Sequence, residues 1–161
     1  MTSYTKRLLR KYSSKGILVD TNILLLLFVG ELSRDRITAF NRTEQFTPKD
    51  YDLLVGLLKR FRVIATTPQI LTEVNSLLNK LGEPARGVFA KRLGRLEEIY
   101  IPSKEIAALD WPFLKYGLTD CGMAEAAQDK YLILTDDLKV TVYFNQRGIE
   151  TINFNNLRFL R

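Results

Sequence analysis

A chain of 161 residues that is 46% hydrophobic and 26% charged can bury a real core and has the composition of an ordinary soluble globular protein. It contains no histidine and one cysteine, Cys121, which excludes Ser-His-Asp and Cys-His nucleophiles, histidine acid–base chemistry, histidine- or cysteine-built zinc centres and internal disulfides. Carboxylate, hydroxyl and amine chemistry remains, or a hard cation held by oxygen, on a chain whose net charge of +6 favours polyanions such as nucleic acid or anionic lipid.

Ser3 to Tyr12 sets Lys6, Arg7, Arg10 and Lys11 around Leu8 and Leu9, the pattern of a basic helix or frayed arm within residues 1–15, able to touch phosphates or to sit inert in solvent. No signal-peptide core comes after it, and the longest apolar run, Ile23 to Val29, is too short to span a bilayer; the expectation is a cytoplasmic protein with no membrane partner. Ile17, Leu18 and Val19 read as a strand buried on both faces, running straight into Asp20, Thr21 and Asn22. Asn22 to Val29, dense in leucine and poor in β-branched residues, predicts a buried helix with Gly30 as its C-cap. Glu31 to Phe46 predicts a loose helix and a loop. Thr47-Pro48-Lys49-Asp50 is a capped helix start, continued by Tyr51, Leu54, Leu57, Leu58 and Phe61 at helical spacing. These leucine- and phenylalanine-rich helices, from Thr47 to Leu81, could serve a homodimer surface or simply the internal core.

Arg62 to Thr66 reads as a second strand, and Thr67-Pro68 starts a helix that Gly82 ends after Leu81. Glu83-Pro84 opens another helix, carrying Arg86, Lys91, Arg92 and Arg95, through Ile99. Tyr100-Ile101 predicts a short strand, Ser103 a cap for a brief helix around Ile106 to Leu109, and Trp111-Pro112 its break. Thr119-Asp120 opens a small-residue helix over Cys121 to Asp129. Tyr131 to Leu134 is a further buried strand, leading into Thr135-Asp136-Asp137. Leu138 to Gln146 predicts a helix despite Val140, Thr141, Val142 and Tyr143, with Gly148 as its cap; Ile149 to Phe154 closes the sheet and Leu157 to Leu160 forms a tail. Strands alternating with helices, without repeats or linkers, define one α/β domain over residues 1–161: a three-layer α/β/α sandwich around a mainly parallel sheet.

In such a sheet four acidic positions fall on one edge. Asp20 ends a strand, Glu73 lies in the second turn after another, Asp120 begins a helix, and Asp137 or its neighbour Asp136 comes after a third strand. Each has an ordinary alternative as a helix cap or a dipole-favoured first-turn acid. Together they repel and resist ionising, and a divalent cation removes that cost; Mg²⁺ and Mn²⁺ prefer such oxygen donors.

In this order and spacing, the strand ending in Asp20-Thr21-Asn22, Glu73 within Thr67-Pro68-Gln69-Ile70-Leu71-Thr72-Glu73-Val74, Leu118-Thr119-Asp120 and Leu134-Thr135-Asp136-Asp137 resemble the PIN-domain nucleases over about Gly16 to Phe154. The resemblance implies Mg²⁺- or Mn²⁺-dependent endoribonuclease activity on RNA. Asp20, Glu73 and Asp120 match the first three acidic positions, and the Thr-x-Asp element points to Asp137 as the fourth. It implies that Asp20, Asp120 and Asp137 hold metal, that Glu73 positions water or completes a second site, and that Asn22 and Thr135 support the carboxylates, with Lys and Arg around the rim holding the RNA backbone. Many small members are toxins blocked by an antitoxin, which makes an antitoxin protein a candidate partner. The basic arm before Gly16 and the length of the 31–62 region depart from compact members. Two rivals stand beside this reading: a non-catalytic RNA-binding or scaffolding protein, and a haloacid-dehalogenase-like phosphatase. The second needs a carboxylate two residues after Asp20, where this chain has Asn22.

Overall fold

The computed structural model describes residues 1–109 and 112–159; the expected break at Trp111 and the end of the expected tail at Leu160 lie outside them. Among the described residues five short strands, β1 (Ile17–Val19), β2 (Ile64–Thr66), β3 (Glu97–Glu98), β4 (Leu132–Thr135) and β5 (Thr151–Asn153), form one all-parallel sheet in the order β3-β2-β1-β4-β5. Ile17 pairs with Ile64 on one side and Leu132 on the other, so the apolar tripeptide is the central strand and is buried throughout. Helices flank the sheet in a three-layer α/β/α sandwich, the architecture expected from the alternation of elements. No helix among the described residues is long and apolar enough to cross a membrane.

The amino-terminal segment is a docked helix, α1 (Ser3–Tyr12), and not a frayed arm. It buries Leu8, Leu9 and Tyr12, and both Lys11 and the Tyr12 hydroxyl donate to Glu150. The helix after β1, α2 (Thr21–Leu32), is apolar all round because neighbours surround it: α3 (Arg36–Ala39), α4 (Pro48–Leu58), α5 (Pro68–Leu78) and α6 (Glu83–Leu93). Thr47 and Asp50 form the reciprocal capping box that begins α4. Leu54, Leu57, Leu58, Phe61, Ile70, Val74 and Leu78 are buried in the chain's own core.

Gly30 does not cap α2; the helix runs two residues further, and Gly30 lies inside it because the Tyr51 ring occupies the space of a side chain. A Cβ there would overlap three carbons of that ring. Gly30→Ala is therefore expected to destabilise the protein by about 1–3 kcal/mol despite alanine's better helix propensity, and Tyr51→Leu to recover part of the loss, both read from urea midpoints.

After α5 a 3-10 turn (Asn79–Leu81) leads to Gly82, as expected. The next helix stops at Leu93 and not near Ile99, which frees Glu97–Glu98 to pair with Ala65 and Thr66. Tyr100-Ile101, more β-prone by residue type, lies beyond the sheet; the strand is an exposed edge whose charges guard it. Ser103 does not cap α7 (Ser103–Ala108) but is its first residue. Then comes α8 (Phe113–Ala127), broken at Gly117, whose φ of +75° is open to glycine and strained for other residues. The break restarts the helix at Leu118 and sets Asp120 in its first turn; buried Cys121, Ala124 and Ala127 permit close packing. The helix α9 (Leu138–Gln146) has the expected bounds, and a further helix, α10 (Phe154–Arg158), takes in the first two residues of the expected tail, Leu157 and Arg158.

Candidate functional site

All strands point the same way, so the segments leaving β1, β2 and β4 emerge at one edge, and α8 restarts there too. Asp20, Glu73, Asp120 and Asp137 line one cleft of about 400 Å³ at that edge, with Thr21, Asn22, Tyr116 and Thr119 among its other walls. None of the lining residues is basic.

Asp20 is 9% exposed and held from two sides. The Thr21 amide donates to its Oδ1 at 2.6 Å, the cap that starts α2, and the Thr135 hydroxyl donates to its Oδ2 at 2.5 Å. Burial nevertheless pushes its pKa up to about 6, and the charges of Asp136 and Glu73 add to the rise, outweighing the two hydrogen bonds. Asp120 is pushed to about 7, first by burial and then by the charges of Asp20, Asp137 and Glu73, with no hydrogen bond to offset them. Glu73 bridges two elements: the Thr21 hydroxyl donates to Oε2 at 2.8 Å and the Thr119 hydroxyl to Oε1. Asp137 caps α9, accepting from the Lys139 and Val140 amides at 2.7 and 3.1 Å, and lines the cleft as well.

Asp136 turns elsewhere. Its carboxylate accepts from Asn22 Nδ2 at 3.2 Å and from Gln45 Nε2 at 3.1 Å, and its carbonyl from Asn155 Nδ2. Asn22 thus braces the β4–α9 turn through Asp136 and makes no hydrogen bond to a cleft carboxylate, while Thr135 holds Asp20 directly. Bound as a donor to Asp136, Asn22 is also unsuited to the acid role that a dehalogenase-like phosphatase needs two residues after its aspartate. Thr21 and Thr119, which sequence reasoning did not put in the site, position Glu73; the signal was that each adjoins a cleft aspartate in the chain.

Four carboxylates without a lining cation, two of them resisting ionisation, suit a hard divalent ion in charge and in donor chemistry. Among the described residues no three acids converge on a single point as they stand, since Thr21 and Thr119 hold Glu73 and the α9 amides hold Asp137. Mg²⁺ keeps several waters and uses one or two protein carboxylates, so the donor set fits without a closed cage. Removing the hydroxyl that fixes Asp20 is a direct probe: Thr135→Val is expected to weaken Mn²⁺ binding roughly 10- to 100-fold by titration, with the fold retained in circular dichroism.

Compared with known proteins, the chain matches no family model and no curated sequence.

Proposed function

We propose that this protein is a metal-dependent nuclease of the PIN-like kind that hydrolyses RNA phosphodiester bonds in the acidic cleft. The observation that carries the reading is the uncompensated set of Asp20, Glu73, Asp120 and Asp137 around one cleft at the carboxyl edge of a parallel sheet. Asp20 and Asp120 would hold Mg²⁺ or Mn²⁺ directly, and Asp137 through the waters the ion keeps. Such an ion, when bound, supplies a water of lowered pKa and offsets charge on the phosphate. Thr135 and the Thr21 amide keep Asp20 oriented, so its oxygens need no reorganisation on binding. Glu73, with one hydroxyl on each oxygen, retains lone pairs that can accept a proton from a water in the cleft. Asn22, Asp136 and Gln45 keep the β4–α9 turn, and with it Asp137, at its station.

The test is incubation of purified protein with end-labelled single-stranded and structured RNA in Mn²⁺, in Mg²⁺ and in EDTA. Fragments with either ion and none in EDTA are expected; intact RNA under all conditions overturns the reading. A non-catalytic RNA-binding protein is favoured by one observation, the engagement of Glu73 and Asp137 in internal hydrogen bonds, and intact but bound RNA would select it. A toxin role with a partner antitoxin follows only if expression arrests growth and Asp20→Asn relieves the arrest.

A further inference from the structure

Three cations, Lys6, Arg10 and Arg60, gather at the edge opposite the cleft. There α1 ends just before β1 and the Lys59-Arg60-Phe61-Arg62 turn leads into β2, the two joined by the Arg62 amide donating to the Ser13 carbonyl at 2.9 Å. Between them lies a concavity of about 480 Å³ walled by Lys6, Arg10, Ser13 and Arg60, with Met1 and Leu9 as its apolar part. Lys6 and Arg10 stand one turn apart on α1, and Arg60 faces them from the other segment. The ion pairs among the described residues, those of Lys11, Arg34, Arg92 and Arg158, use none of these three cations. The four cleft carboxylates thus stand at strand exits, and these three cations, in no ion pair among the described residues, at strand entrances.

We propose that this pocket is a phosphate-binding site for the backbone of a single nucleic-acid strand, distinct from the acidic cleft. Charge complementarity and the concave grouping of three cations suit phosphodiesters, whose binding is driven by counterion release. A lipid surface fits less well, because α1 buries Leu8, Leu9 and Tyr12 in the core and leaves only Tyr4, with Met1 ahead of it, as exposed large apolar side chains, too little for an inserting face. A strand held here stays on the protein while another part of it meets the cleft.

The experiment measures binding of fluorescent oligouridylate in EDTA by anisotropy across a salt series, so that it does not depend on cleavage. The triple variant Lys6→Gln/Arg10→Gln/Arg60→Gln is compared with wild type and with Lys80→Gln/Lys91→Gln/Arg95→Gln, which removes equal charge from exposed positions elsewhere. The pocket variant is expected to bind about 10-fold more weakly at low salt and to lose about 2 from the slope of log K against log salt, some 0.7 for each cation. The control variant is expected to keep the wild-type slope. Equal losses in both variants would reduce the effect to net charge and overturn the proposal, as would an unchanged slope, or polyglutamate displacing the oligouridylate from wild type while binding the pocket variant weakly. A lowered slope without any RNA cleavage leaves this site standing and removes the nuclease reading; cleavage with an unmoved slope does the reverse.

Discussion

Asp20→Asn is expected to abolish Mn²⁺-dependent RNA cleavage and, in the same molecule, to raise the melting temperature of the metal-free protein at pH 8. The first effect comes from loss of a charged oxygen donor at the central strand's exit. The second comes from the carboxylate's own environment. Asparagine keeps an oxygen for the Thr21 amide, and its NH₂ can donate to the Thr135 oxygen, whose hydrogen is free to rotate. The buried Thr135 hydroxyl, which also accepts from the Asp137 amide, loses the acceptor of its own hydrogen at a cost of about 1–2 kcal/mol, while a buried charge whose pKa stands at about 6 in place of 3.8 is gone. That shift corresponds to about 3 kcal/mol at pH 8, and the net gain of about 1–2 kcal/mol is on the order of 2–8 °C for a chain of this size. A function-destroying substitution that stabilises is the signature of a site held against its own repulsion. Full cleavage by the variant removes Asp20 from the site; a lower melting temperature removes the repulsion.

The second large effect is on pH. Both shifted carboxylates have folded-state pKa values above their unfolded 3.8, so the folded state binds the proton more tightly. Their contribution to stability is fully present below about pH 4 and is lost as pH rises through about 6 for Asp20 and about 7 for Asp120. The metal-free protein is expected to melt higher at pH 5 than at pH 8. The window is unusually clean. The chain has no histidine, the lowered pKa of Glu150 acts below it, and the raised pKa of Tyr131, about 12, acts above it. Mn²⁺, which needs ionised carboxylates, is expected to raise the melting temperature at pH 8 far more than at pH 5. Scanning calorimetry at the two pH values, with and without Mn²⁺, reads both signs; a flat profile contradicts the assignment of these pKa values.

The fold was legible because its strands are apolar on both faces and its helix starts are chemically explicit. Ile17-Leu18-Val19 could only be central, and Thr47-Pro48 with Asp50 could only begin a helix. What local sequence could not carry were tertiary decisions. Gly30 looks like a cap until Tyr51 is known to lie on it, and Glu97-Glu98 looks like loop until an edge of β2 is there to receive it. In the site, the four carboxylate addresses came from topology alone. Their partners did not: which way Asn22 reaches, and that Thr21 and Thr119 both turn to Glu73, depend on rotamers that strand and helix periods leave open. Asp136 and Asp137, adjacent in the chain, are equal candidates by topology and are told apart in the sequence only by the resemblance, which points to Asp137; the turn sends Asp136 to Asn22 and Gln45 and Asp137 to the cleft.

The central claim is that these distant acids make one cation site. Isothermal titration of Mn²⁺ into wild-type protein and into Asp20→Asn/Asp120→Asn at pH 8 tests it most directly. Saturable binding to wild type that vanishes in the double variant is the predicted result; equal heats from both proteins, or none from wild type, would contradict it.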